Sequence, residues 1–161
     1  MFLPSGQLRP DLLTEAAVAA MHEALRLTRG TQWDSVRSPH VFMGLLAVPD
    51  AGVRNWAERL GANLPELLHQ FQELFHQHPG HPTAPLRLSR EFFSDNVIRL
   101  LREAQQRAQD NQRARITPMD LLISLLTAPH SIVAECFECI GVTAAKLTEM
   151  AVMAEQHANR A

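Results

Sequence analysis

The chain consists of two copies of one unit, offset by 80 residues. Adding 80 to a position in the first half gives its counterpart in the second, as for Leu45 and Leu125 or Gly61 and Gly141. The apolar stripe of the first helix recurs in the same register, at Leu13, Ala17, Ala20 and Ala24 and at Phe93, Val97, Leu100 and Ala104. A function for this chain therefore has to suit a duplicated helical unit rather than a single catalytic pocket.

Start and stop signals predict four helices in each copy. A long first helix is predicted over 11–29, and a left-handed glycine is predicted to end the third helix of each copy. The residues predicted to open the other helices, by capping or by proline in the first turn, are Ser38-Pro39, Asp50, Asn63, Ser89, Thr117-Pro118, Ser131 and Thr143. The predicted fold is all-α, with about eight helices in two tandem pseudo-twofold four-helix repeats.

The capping residues, prolines and glycines also predict where the parts of the chain begin and end. Residues 1–10 form an N-terminal extension, 11–77 the first repeat, 78–88 a linker and 89–158 the second repeat. The linker is assigned because Pro79, Gly80, Pro82 and Pro85 cannot continue a helix. Together these parts are expected to form one globular domain.

Composition and charge exclude several classes of function. The net charge is −2, so no overall electrostatic attraction to nucleic acid or to an acidic membrane is expected. The only lysine, Lys146, lies in Ala-Ala-Lys-Leu-Thr, which excludes a phosphate-binding P-loop. No secretory signal or membrane-spanning stretch is recognisable. We therefore expect a cytoplasmic protein that is not an enzyme and holds no cofactor.

Two segments carry a family resemblance. The segments 36–46 and 116–126, followed by Leu60-Gly61-Ala62 and Ile140-Gly141-Val142, make the chain similar to the Clp N-terminal repeat. This repeat caps the Clp-type AAA+ unfoldases and disaggregases, such as ClpA, ClpB, ClpC and ClpV. The resemblance covers about residues 11–150. The turn at 48–53 is similar to that of the ClpV branch, which disassembles contractile secretion sheaths.

The resemblance implies a protein-binding module without catalytic activity. Such a module docks substrate, adaptor or secretion-sheath segments for a Clp-type AAA+ ATPase, so the implied partners are protein clients and an AAA+ ring. The alternative is a stand-alone regulator or scaffold that docks on a Clp ring and controls its assembly. Neither nucleic acid nor membrane is an expected partner, and the isolated domain is expected to be a monomer.

The resemblance also implies the position of a groove. The family's groove positions near the first, fifth and sixth helices fall on Thr14, Val18, Leu101, Met119 and Asp120. The alternative for Val18 and Leu101 is a place in the core. Pro39 and Met119 stand where the ClpC branch has glutamates that read phosphorylated arginine, so we expect that activity to be missing.

Three further clusters have a functional and a structural interpretation. His69, His76, His78 and His81 have spacings that could chelate a metal, but they also suit a solvated helix end and linker. Cys136 and Cys139 have a redox spacing, but near a helix C-terminus they favour core packing. The arginines on and after the fifth helix could bind nucleic acid, but their acidic neighbours favour a solvated, ion-paired helix face. They are Arg99, Arg102, Arg107, Arg113 and Arg115.

Overall fold

The computed structural model describes residues 1–29, 35–75 and 88–160, and these residues form eight α-helices without a strand. The helices are α1 (Glu15–Arg29), α2 (Ser38–Ala47), α3 (Ala51–Leu60), α4 (Leu64–Leu74), α5 (Asp95–Asp110), α6 (Pro118–Thr127), α7 (Ile132–Glu138) and α8 (Ala144–Arg160). A short 3-10 turn at Arg90–Phe92 precedes α5. The all-α prediction with two four-helix repeats is confirmed. No described helix alone is long and apolar enough to cross a membrane; α6 and α7 reach that criterion only as a pair bent by 70°.

Most of the predicted helix starts are confirmed by their capping bonds. The Asp50 carboxylate accepts from the Val53 amide at 2.8 Å, and Ser131 and Thr143 cap α7 and α8 in the same way. Thr117 forms a full capping box with the residue three positions on, Asp120. These caps satisfy amide groups that the first turn of a helix leaves without partners.

Three helix starts were predicted wrongly. The helix α1 begins at Glu15 rather than at residue 11, with Thr14 as its cap. Ser38 is already inside α2, whose N-cap is Arg37, the counterpart of Thr117 in the 80-residue register. Ser89 precedes the 3-10 turn, and Ser94 caps α5 instead.

The two repeats exchange contacts at the starts of their long helices. The Thr14 amide donates to the Ile116 carbonyl at 3.0 Å, and the equivalent Ser94 amide donates to the Val36 carbonyl at 2.9 Å. The long helix of each repeat is thus joined to the segment that enters the second helix of the other repeat. This exchange brings the N-terminal turns of α1 and α6 together at one place, and those of α5 and α2 at another.

The second helix of each repeat lies at the centre of the core. Every residue from Pro39 to Leu46 in α2 and from Pro118 to Leu126 in α6 is buried. Phe42 of α2 packs edge-on against Trp56, Phe71 and Phe137, with ring centroids 4.7 to 6.0 Å apart. These aromatic rings come from both repeats, so one continuous core joins them.

The N-terminal extension packs against the start of the second repeat. The Leu8 amide donates to the Leu88 carbonyl at 2.7 Å, and the Arg90 amide donates to the Gly6 carbonyl at 2.8 Å. Leu8 is buried in the common core. The predicted linker at 78–88 lies outside the described residues apart from Leu88, so the domain boundaries stay predictions.

We expect Gly44→Ala to destabilise the protein more than Gly61→Ala. A Cβ at Gly44 would overlap the backbone carbonyl oxygen of Ala20, where α1 and α2 cross closely. Overpacking there should cost about 2–3 kcal/mol. Gly61 has a φ of 70° and open space around its Cβ position, so its loss should cost only ~1 kcal/mol through the backbone. Urea unfolding of both variants tests this order, and equal losses would contradict the close helix crossing.

Candidate functional site

A cleft of about 430 Å³ lies between the repeats. It is formed by the first turns of α2 and α5, the connection between α6 and α7, and Phe75 at the end of α4. Pro39, Leu100 and Leu125 contribute buried apolar surface to its floor. Ile132, at the start of α7, is 48% exposed at its edge. The cleft is therefore a concave, mostly apolar surface with solvent access, the kind of surface that binds ligands or peptide segments.

Polar and charged groups stand around this apolar floor. Ser94 and Ser131 line the cleft and use their hydroxyl oxygens to cap α5 and α7. Arg99 and Glu103 lie one turn apart on α5, and both side chains are exposed. Neither residue forms an ion pair within the part of the chain that the structure describes. The cleft thus offers apolar contact at its floor and an unpaired positive and negative charge at its rim.

His40 is the buried titratable residue of the cleft. It is 1% exposed, and its Nδ1 accepts the Arg37 backbone amide at 3.0 Å, which is one of the two bonds of a capping box. Burial, followed by the charge of Arg37, lowers the pKa of His40 to about 4. The imidazole is therefore neutral at physiological pH, and it positions the start of α2 rather than acting as a base.

The groove predicted from the family resemblance lies at the pseudo-symmetric counterpart of this cleft. In the 80-residue register, Thr14, Met119 and Asp120 correspond to Ser94, Pro39 and His40, which all line the cleft. We call the region around Thr14, Met119 and Asp120 the counterpart site. The groove positions predicted from the sequence thus have counterparts in the other repeat that line an open cleft.

The counterpart site is filled by its own side chains. Met119 is 3% exposed and packs on Gly52 so closely that a Cβ there would lie 2.5 Å from the Met119 Cγ. Gly52 corresponds to Ile132 of the cleft, and Met119 corresponds to Pro39. A long flexible side chain facing a glycine closes the space on one side, whereas a proline facing an isoleucine leaves it open on the other.

An ion cluster occupies the rest of the counterpart site. Asp120 is fully buried and accepts from Arg107 Nη1 at 2.6 Å and from Arg113 Nη2 at 2.7 Å. Arg107 also binds both oxygens of Glu155 on α8 at 2.8 Å. The cluster joins α5, α6 and α8. Two of the arginines that the sequence placed on a solvated helix face are therefore partly buried, with partners on other helices.

The protonation state of Asp120 is set by opposing effects. Burial favours the neutral acid, but hydrogen bonds from Arg113, the Thr117 backbone and Arg107 outweigh it and hold the pKa of Asp120 below its usual value. Hydrogen bonds to Glu155 and Asp120 raise the pKa of Arg107, and the hydrogen bonds to Asp120 raise the pKa of Arg113. Asp120 and the two arginines are therefore charged at neutral pH, and the cluster ties α5 and α6 to α8.

The structure places the remaining predicted groove residues at different depths. Val18 and Thr14 are half-buried on α1 and at its cap. Leu101 is fully buried on α5, as the alternative interpretation expected for it. In this conformation a partner could reach Thr14 and Val18, but Leu101, Met119 and Asp120 are inside the protein. The groove assignment itself stays a prediction.

The described histidines and the two cysteines can be examined for metal ligation and for thiol reactivity. His69 is exposed on α4 and lies 3.1 Å from Glu73, whereas His76, His78 and His81 fall outside the described residues. No group of three metal-ligating side chains occurs within the described ranges. Cys136 lies on α7 and Cys139 at its C-cap. Burial and the neighbouring Cys139 raise the pKa of Cys136, which disfavours the reactive thiolate.

Comparison with known proteins agrees with this architecture. The Clp repeat (R) N-terminal domain matches the sequence over residues 92–160, which is the second repeat. No curated protein matches the chain in sequence. The resemblance to the Clp N-terminal repeat is thus confirmed, and domains of this family are protein-interaction modules of Clp ATPases.

Two solved structures have a similar fold. The N-terminal domain of the chaperone ClpD from Arabidopsis thaliana superposes with a TM-score of 0.70 at 17% identity, covering 94% of this chain and 99% of that one. The N-domain of ClpV from Vibrio cholerae superposes with a TM-score of 0.61 at 20% identity, covering 88% of this chain and 84% of that one. The double-repeat fold thus extends over nearly the whole chain.

We expect His40 to make stability depend on pH. Its folded pKa is about 4, whereas an unfolded histidine titrates near ~6.5, so the unfolded chain binds the proton first. The free energy of unfolding should be unaffected by His40 above about pH 6.5 and fall by up to ~3 kcal/mol towards pH 4. His40→Gln is the comparison, because glutamine keeps a hydrogen-bond acceptor at this position but does not titrate in this pH range. Parallel unfolding curves for both proteins across this pH range would contradict the role of His40.

We expect Asp120→Asn to destabilise the domain by roughly 3 kcal/mol, because it leaves two partly buried guanidinium groups with one carboxylate. Asp110→Asn is the matched control, since Asp110 is exposed at the end of α5 and its carboxylate accepts, among the described residues, only from Gln106. That control should change stability by less than about 0.5 kcal/mol. Urea unfolding distinguishes the two, and similar small losses would show that the cluster does not tie the helices.

Proposed function

We propose that this chain docks segments of a client, adaptor or secretion-sheath protein for a Clp-type AAA+ ATPase, and that the cleft is the docking site. The observation that carries the proposal is an open, apolar concavity built by both repeats of a Clp N-terminal fold. Its floor can bury a few apolar side chains of a bound segment, which is the main source of affinity in such grooves.

The chemistry of the cleft favours binding over catalysis. Its buried imidazole already accepts a backbone hydrogen bond through Nδ1, and its low pKa makes it a weak base at neutral pH. The two serine hydroxyls accept bonds from helix amides. Each of these groups thus has a structural task at a helix start.

The difference between the cleft and the counterpart site supports a single docking position. The cleft is open, whereas Met119 and the Asp120 ion cluster fill the equivalent space in the other repeat. A partner that used the predicted groove at Thr14 and Val18 would have to displace these buried groups to reach Leu101. We therefore propose that one partner segment binds per chain, in spite of the internal duplication.

We expect Ile132→Asp to abolish capture of the cleft's partners without unfolding the protein. Ile132 is 48% exposed, and an acidic residue at the first position of α7 suits the helix dipole. Ile140→Asp is the matched control, because Ile140 is 72% exposed and lies outside the cleft. The measurement is quantitative affinity capture from the native cell extract with wild type and both variants as bait, followed by titration of the captured partner.

The proposal requires proteins that wild type and Ile140→Asp retain and that Ile132→Asp loses. Titration of such a partner should give one segment per chain. Circular dichroism and urea unfolding establish that all three baits are folded to the same extent. Capture of the same proteins by all three baits would contradict the cleft as the docking site, and two segments per chain would contradict the closed counterpart site.

A further inference from the structure

The rim of the cleft has a distribution of charge that selects among partners. Arg99 is exposed, lines the cleft and forms no ion pair with any of the described residues. It lies in the second turn of α5, a helix of 16 residues whose N-cap and first turn also line the cleft, at Ser94 and Asn96. The Arg99 guanidinium and the start of α5 therefore lie on the same side of the cleft, although Asp95 in the first turn offsets the dipole of this helix.

The start of α2 adds to this positive side. The N-cap of that helix is Arg37, whose side chain has no oxygen with which to accept from the helix amides. Its neighbours Ser38 and Pro39 line the cleft. The first turn of α2 contains no acidic residue, whereas the first turn of α5 contains Asp95.

From this arrangement we propose that the bound segment is acidic and apolar together: an apolar side chain lies on the cleft floor and an adjacent Asp or Glu pairs with Arg99. This inference rests on the proposed docking function. Charge complementarity selects the partner, while burial of the apolar side chain supplies most of the affinity. Glu103, one turn further along α5, opposes the bound carboxylate, so it limits the affinity and discriminates against a segment that is acidic throughout.

To test this, a random dodecapeptide library displayed on phage is screened for binding to the folded wild-type protein. Counter-selection against Ile132→Asp removes peptides that bind elsewhere. We expect the retained peptides to combine a large apolar residue with neighbouring Asp or Glu. Synthetic copies of these peptides are then titrated by fluorescence anisotropy at low and at high salt, because screening weakens an exposed ion pair.

Three charge variants locate the effect. Arg99→Glu should weaken the enriched peptides about tenfold at low salt, because attraction at the rim becomes repulsion. Arg102→Glu is the matched control: it makes the same change of net charge on the same helix, at an exposed residue that does not line the cleft. It should change affinity less than about twofold. Glu103→Gln should strengthen binding about twofold, because it removes the repulsion of the bound carboxylate.

The outcomes separate the inference from the function on which it rests. Peptides that need Ile132 but lack acidic residues, or that bind Arg99→Glu as well as wild type, would overturn the acidic partner and leave the docking cleft intact. If no selected peptide depends on Ile132, the docking cleft and the acidic partner are both overturned. Acidic peptides that lose affinity in Arg99→Glu and not in Arg102→Glu would establish the inference.

Discussion

The backbone hydrogen bonds from Thr14 to Ile116 and from Ser94 to Val36 tie the long helix of each repeat to the other repeat. Each bond stabilises the fold by only ~1 kcal/mol, whereas burying Val36 and Ile116 completely contributes roughly 1.5–3 kcal/mol apiece. The bonds therefore set the register and the apolar burial supplies the stability. Because this exchange brings two pairs of helix N-termini together, it also creates two equivalent places where a cleft can form.

The two places differ because a few side chains differ in size. Pro39 and Ile132 face the open cleft, while Met119 and Gly52 occupy the corresponding positions of the closed site. A proline ring is too short to cross the space between helices, and the exposed isoleucine adds apolar surface at its edge. Methionine can extend onto the bare backbone of a glycine and fill the space. One of the two equivalent places is thus an open cleft, and the other is a packed interface.

How much the sequence could predict depended on how local each signal was. Helix caps such as Asp50 and the left-handed Gly61 act within a few residues, so their positions were read correctly. Ser38 is predicted as a cap, but Arg37 is the N-cap of α2, because the register of a helix start depends on packing that no local pattern records. The candidate site required still longer-range information. Nothing near Asp120 in sequence shows that Arg107 reaches it, or that Glu155 on α8 completes the cluster.

The residue three positions after the N-cap of the second helix differs between the two repeats. This difference helps to explain why the cleft is open and the counterpart site is filled. Asp120 is buried and charged, so guanidinium groups had to be brought to it, and Arg107 and Arg113 fill the space beside α6. His40 holds the same position in α2 and is neutral, with Nδ1 bonded to the backbone, so no counter-charge has to be brought to it. The adjacent volume can then stay free for a partner. The capping residue and the sizes of the side chains thus act together: an ion-paired carboxylate accompanies the packed site, and a neutral imidazole accompanies the open cleft.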